Sequence, residues 1–218
     1  MSAAATPHWF PQRYDAASDS VLLVARSEAD FRAAAFLDER SLAPGIPSHL
    51  VPWPTVAGAV PSDARRDIQY IFHLGHVGST LISRLLGELP EVLALREPQI
   101  LRDVAACLEQ GVWDAERLDA LTALLSRTFR PEQRAMAKAS SFVSEIAAEL
   151  VPNGSRALLL CASAEAYIAN ISLDPIRGRR WPRPPPTGSH GCTGGAASDG
   201  ALAVFPRAKP SPWPGRAR

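Results

Sequence analysis

Apolar positions along this chain follow two periods in turn. Short apolar runs of four to seven residues, at Ser20–Ala25, Ile68–Leu74, Val92–Leu95, Ala135–Lys138 and Arg156–Ala162, read as strands. Between them apolar residues recur at helical spacing. Ser27 and Asp30 resemble a capping box ahead of Phe31, Ala34, Ala35 and Leu37. Ser79-Thr80 opens a helix whose buried side should carry Leu81, Ile82, Leu85 and Leu86. Ile100, Leu101, Val104 and Leu108 predict a helix from Gln99 to about Glu109. Asp114 caps another, with Leu118, Leu121, Leu124, Leu125 and Phe129 on its core face. Ser141–Leu150 and Ser163–Ile171 complete the set. Strands and helices alternate from Ile68 onward, which implies βαβ units, a parallel sheet and an α/β fold.

The flanks differ from this middle. The first dozen residues are small and Pro-containing and read as loose. Prolines at 44, 47, 52, 54 and 61 mark a connector with one extended piece around Leu50–Trp53. Residues 1–61 are thus expected to be an N-terminal extension with a short strand and helix, and residues 62–173 the main domain. Residues 174–218 hold nine prolines, seven glycines and seven arginines without apolar periodicity, which predicts a disordered basic tail. The change is abrupt and falls just after a helical pattern, in residues that GC-rich codons favour. A frameshifted reading of a truncated domain is therefore one expectation for this segment, and a Pro-rich binding tail the other.

Charge sharpens the division. The tail carries eight Lys/Arg and two Asp/Glu of the chain's 23 and 22, leaving fifteen and twenty in residues 1–173. The folded part is mildly acidic, and a net charge of +1 argues against a general nucleic-acid partner. Cys107, Cys161 and Cys192 show no metal-binding or disulfide spacing, so no metal is expected and the first two read as small buried residues. Met1–Arg13 lacks the apolar core of a signal peptide, and no window approaches a membrane span. A cytoplasmic protein with no membrane partner is the expectation.

The candidate chemistry lies in Tyr70-Ile-Phe-His-Leu-Gly-His-Val-Gly-Ser-Thr-Leu81. A strand, a turn with Gly75 and Gly78, two hydroxyls and a helix occur in the order that builds an anion site. Glycine lets the backbone approach a phosphate, and the first helical N–H groups have no intrahelical partners. Gly75, His76, Val77, Gly78, Ser79 and Thr80 are the expected binding residues. A plain strand-to-helix turn with Ser79 and Thr80 as caps is the alternative. His73 reads as structural, His76 as an exposed phosphate or sulfonate contact, and Arg84 as a solvated helix residue. Arg96 and Glu97 follow a strand's carboxyl end, where ligands bind in open α/β sheets. Glu97 is a candidate base, an ion pair there being the alternative. Lys138 could neutralise developing charge, or be an ordinary lysine.

Over Ile68–Ile171 the chain resembles the sulfotransferase family, a branch of the P-loop nucleotide-binding fold. His76-Val-Gly-Ser-Thr-Leu81 occupies the frame of the family's (Lys/Arg)-Ser-Gly-(Ser/Thr)-Thr-Leu loop, Arg96-Glu97-Pro98 resembles an Arg/Lys-Glu-Pro of bacterial members, and Lys138-Ala-Ser140 resembles a family strand-end lysine. The resemblance implies a P-loop-type three-layer sandwich, here incomplete. It implies 3′-phosphoadenylyl sulfate as donor, a nucleotide-type small molecule, with sulfuryl transfer to a hydroxyl or amine acceptor that the sequence does not identify. His76, Glu97 and Lys138 would be its catalytic residues. Two departures run against it. His76 stands where the family has a strong cation, and Cys161-Ala-Ser-Ala-Glu-Ala-Tyr-Ile-Ala-Asn170 lacks the arginine of the family's second donor site. No Walker lysine follows Gly78, which argues against ATP chemistry. A non-catalytic nucleotide- or anion-binding protein, or an inactive truncated product, is the alternative function.

Overall fold

The computed structural model describes residues 7–151, 156–173 and 202–204. The expectation of a disordered or frameshifted tail lies mostly outside them. Strands β4 (Gln69–His73), β5 (Val92–Arg96), β6 (Arg134–Lys138) and β7 (Ala157–Leu160) form a parallel sheet in the order β5-β6-β4-β7. A short strand β8 (Leu202–Val204) adds antiparallel to β7, in a segment whose composition predicted no element. Helices α3 (Ser79–Gly87), α4 (Gln99–Glu109), α5 (Ala115–Leu125) and α7 (Ala164–Leu173) connect or follow these strands. The protein is an α/β sandwich of P-loop-like architecture, with helices on the faces of a four-stranded parallel sheet.

Alternation along the strands divides the interior into two cores. Tyr70 and Phe72 of β4 join Leu93, Leu95, Ala135 and Ala137 in the larger core, with α4 and α5. Ile71, Ala94, Met136 and Leu160 face the other way, against Ile82 and Leu86 of α3. Successive strand residues point to opposite faces, so each strand contributes to both layers.

The N-terminal segment is more structured than its sequence suggests. Trp9–Asp15 is strand β1, which pairs antiparallel with β2 (Ser20–Ala25), and β2 pairs with β3 (Ser48–Pro52). The expectation of a loose first dozen residues is corrected from Trp9 onward by this three-stranded sheet, and residues 1–6 lie outside the described residues. Pro11 hides the strand in the sequence, and the register shifts between Pro11 and Arg13. Such a bulge suits a proline, which cannot donate to the ladder. Tyr14, Trp53 and Trp113 cluster edge-on or tilted, and they tie this sheet into the larger core.

Three further expectations change. Helix α1 spans only Glu28–Ala33, with its capping box formed by Ser27 and Asp30, and Ala34 already leaves in an extended conformation. Ala35 and Leu37 therefore lie beyond it. Ser141–Leu150 divides into a 3₁₀ segment (Ser141–Ile146) and α6 (Ala147–Leu150), after α2 (Trp53–Gly58) near the end of the connector. On α3 the buried line is Ser79, Ser83 and Gly87, whereas Leu81 and Leu85 are each 62% exposed. Gly87 explains the rotation: a Cβ there would sit 2.8 Å from Arg96 Nη2 and 3.0 Å from Ala94 Cβ. Small residues at i, i+4 and i+8 let the helix lie close on the sheet. Cys107 is buried as expected, while Cys161 is only half-buried. Among the described residues no helix is long and apolar enough to cross a membrane.

Candidate functional site

Strand β4 stands between β6 and β7, so the chain departs to one side for α3 and β5 and later crosses to the other for β7. Its carboxyl end is thus the topological switch point, where ligands bind in open α/β sheets. The loop at this end takes left-handed conformations at Gly75 (φ 90°), His76 (φ 52°) and Gly78 (φ 78°). Gly78 is the N-cap of α3 and supplies no side chain to its first turn. Its carbonyl accepts from Ile82 N–H at 3.1 Å, while the amides of Val77 to Leu81 have no hydrogen-bond partner among the described residues. Those donors lie at the positive end of the nine-residue helix, with Ser79 buried and Thr80 half-buried in its first turn.

His73 fixes this loop from below. Its Nδ1 accepts from Gly75 N–H at 3.0 Å, and its Nε2 lies 2.9 Å from the Ala139 carbonyl. An Nδ1 that accepts leaves the proton on Nε2, so the ring is a neutral tautomer bridging β4 to the end of β6. Burial and then the nearby Lys138 charge hold its pKa below the usual value. His73 is accordingly structural. His76 carries its exposed ring to the other flank, 6.4 Å from the Tyr167 ring of α7, and Asn170 Nδ2 donates to its carbonyl at 3.1 Å.

On the β5/β6 flank the structure joins two of the candidate residues. Lys138 is only 2% exposed, and its Nζ is ion-paired and hydrogen-bonded to Glu97 Oε1. Glu97 N–H donates to the Lys138 carbonyl at 2.7 Å, locking strand end to strand end. Glu97 adopts φ 50°, a conformation that L residues with side chains rarely take. Its side chain remains 20% exposed, and Oε2 carries no hydrogen bond among the described residues. Ser140, two residues beyond Lys138, holds a buried hydroxyl without a partner among the described residues.

Arg96, next to Glu97, turns away from this edge. Its Nη1 donates to the carbonyls of Ala34 (2.7 Å), Arg32 (3.0 Å) and Phe31 (3.4 Å), which closes the carboxyl end of α1. It is an anchor for the N-terminal layer. Arg84 is exposed, as the sequence suggests. Sequence reasoning missed the segment after α1. Leu37 N–H donates to the Arg96 carbonyl at 2.6 Å and Gln99 N–H to the Leu37 carbonyl at 3.0 Å. This places Phe36 5.9 Å from Lys138 Nζ and under the Arg40 guanidinium at 4.1 Å. No local pattern could have shown this, since Phe36 and Lys138 lie a hundred residues apart. Tyr167 and Asn170 likewise gain meaning only from the fold.

The arrangement can hold an oxyanion on backbone amides, with a carboxylate–ammonium pair on one side and an imidazole and a phenol on the other. Among the described residues no group of three or more His, Cys, Asp or Glu side chains could hold a metal ion. The chain matches no family model, no curated protein and no solved structure.

Proposed function

We propose that this chain binds a phosphate- or phosphosulfate-bearing nucleotide at Gly75–Thr80 and acts as a sulfotransferase-like protein. The observation that carries the reading is the set of unpaired amides on a left-handed loop at the switch point of the sheet. A donor such as 3′-phosphoadenylyl sulfate would lay its 5′-phosphosulfate on the Val77–Leu81 amides and the hydroxyls of Ser79 and Thr80. An acceptor hydroxyl or amine would attack sulfur while the bond from sulfur to the phosphate oxygen breaks. Adenosine 3′,5′-bisphosphate leaves, and the acceptor's proton passes to Glu97 Oε2. Lys138 would orient Glu97, and His76 would donate to the departing oxygen. Such transfer depends mainly on positioning and electrostatics.

A second reading has its own support. Lys138 is already committed to Glu97, and a histidine stands where a permanent cation would serve the leaving group. These features suit a protein that binds the nucleotide without turning it over. Isothermal titration with adenosine 3′,5′-bisphosphate tests what both readings share. Micromolar binding lost in the Ser79→Ala/Thr80→Ala double variant is expected, and no binding at millimolar ligand eliminates the nucleotide site. Transfer of labelled sulfuryl from the donor, abolished by Glu97→Gln, separates the enzyme from the binding protein.

A further inference from the structure

A groove of about 590 Å³ opens where β2 runs into α1, and Arg26, Ser41, Asp30, Ala34, Ile46 and Pro47 are among the residues that line it. Arg26 is 3% exposed, yet its side-chain hydrogen-bond partners among the described residues are all neutral. Its Nη2 donates to Gln12 Oε1 at 2.8 Å, to Ser41 Oγ at 2.6 Å and to the Ser41 carbonyl at 3.5 Å. Nε is buried without a partner, and Nη1 has none among the described residues. Asp30 influences Arg26 electrostatically but forms no ion pair with it, and Asp30 Oδ2 is occupied by Ser27 N–H and Oγ at 2.7 Å each. An arginine stays charged even when buried, and an interior charge without a counter-charge is costly. The sequence spends that cost at the side of a groove whose other walls are largely aliphatic.

We propose that the groove is a binding site for a small carboxylate with a short aliphatic body. The carboxylate would meet Arg26 at Nη1, and the body would pack on Ala34, Ile46 and Pro47. Asp30, on the same wall, opposes a second negative charge, which selects a monoanion over a phosphate dianion. The site is independent of the loop at Gly75–Thr80 and of the function proposed for it.

Butyrate, titrated into the full chain and followed by ligand-observed NMR, tests the proposal. The expected dissociation constant is on the order of 1 mM for so small a ligand. Arg26→Gln removes the charge, and Ala43→Trp fills the groove from a lining position whose side chain makes no hydrogen bond to Arg26. Each is expected to weaken binding about tenfold or more. Saturating adenosine 3′,5′-bisphosphate is expected to leave butyrate bound. Circular dichroism checks the fold of both variants, and if Arg26→Gln does not fold, Ala43→Trp decides alone. The proposal is overturned by the absence of saturable butyrate binding, by butanol or inorganic phosphate binding equally well, by unchanged affinity in Ala43→Trp, or by displacement with the bisphosphate.

Discussion

On the β5/β6 flank of the central strand, charge is already neutralised: Lys138 is buried and its ammonium is spent on Glu97. On the flank facing α3 and α7, the amides of Val77 to Leu81 have no partner among the described residues. One flank is a closed pair that joins the strand ends, and the other keeps its backbone donors unpaired among the described residues. His73 stands between them and belongs to both, since it holds Gly75 on one side and Ala139 on the other while sensing Lys138 and Glu97. The contrast separates backbone donors that have no partner among the described residues from side-chain charges that are already paired. Lys138 is thus enclosed, with its ammonium held by the carboxylate beside it.

The closed flank gives the largest expected effect. Lys138→Met leaves the Glu97 carboxylate without its partner and should cost about 3 kcal/mol or more in urea denaturation. Adding Glu97→Gln should recover much of that loss, and a neutral single variant would show that the flank is not closed. On the open flank, Gly78→Ala meets no steric obstacle but is strained at φ 78°. It should cost about 1–2 kcal/mol in the same measurement and weaken bisphosphate binding, whereas unchanged stability would show that the loop can relax. His73 couples the flanks to pH. Its folded pKa lies below the usual 6.5 because burial, then Lys138, disfavours the charged ring. Its contribution is fully present above 6.5 and is lost as pH falls through the lowered folded value. The denaturation midpoint of the wild type should therefore fall with acidification more steeply than that of His73→Gln, and parallel slopes would remove His73 from the account. The smallest effect concerns the outer face of α3. Leu85→Ser should change stability by no more than about 0.5 kcal/mol, and a loss of about 2 kcal/mol or more would show that this face is covered.

Much of the α/β half was legible because its signals are local. Alternating apolar runs placed β4, β5, β6 and β7 to within a few residues, and Asp114 and Ser27 marked the starts of their helices. The loop at Gly75–Thr80 was legible for the same reason: two glycines, two hydroxyls and a helix are a contiguous pattern. In the N-terminal sheet β2 and the extended piece of β3 were legible, but β1 was not, because Pro11 and the bulge beside it break the alternation that announces a strand. The buried face of α3 was misread because Leu81 and Leu85 have the right spacing for a core stripe. A close approach to β5 instead demanded the small side chains of Ser83 and Gly87.

By itself, the sequence determined the alternation of elements, the glycine turn between β4 and α3 and the identities of Glu97 and Lys138 as strand-end residues, all properties carried by neighbours along the chain. Only the tertiary structure decided that Arg96 anchors α1, that Glu97 and Lys138 neutralise each other, that Phe36 and Tyr167 border the site, and that Arg26 is buried among neutral partners. The physical reason is that charge, burial and hydrogen bonding depend on what lies within a few ångströms in space, and the residues that meet here are separated by up to a hundred positions in the chain.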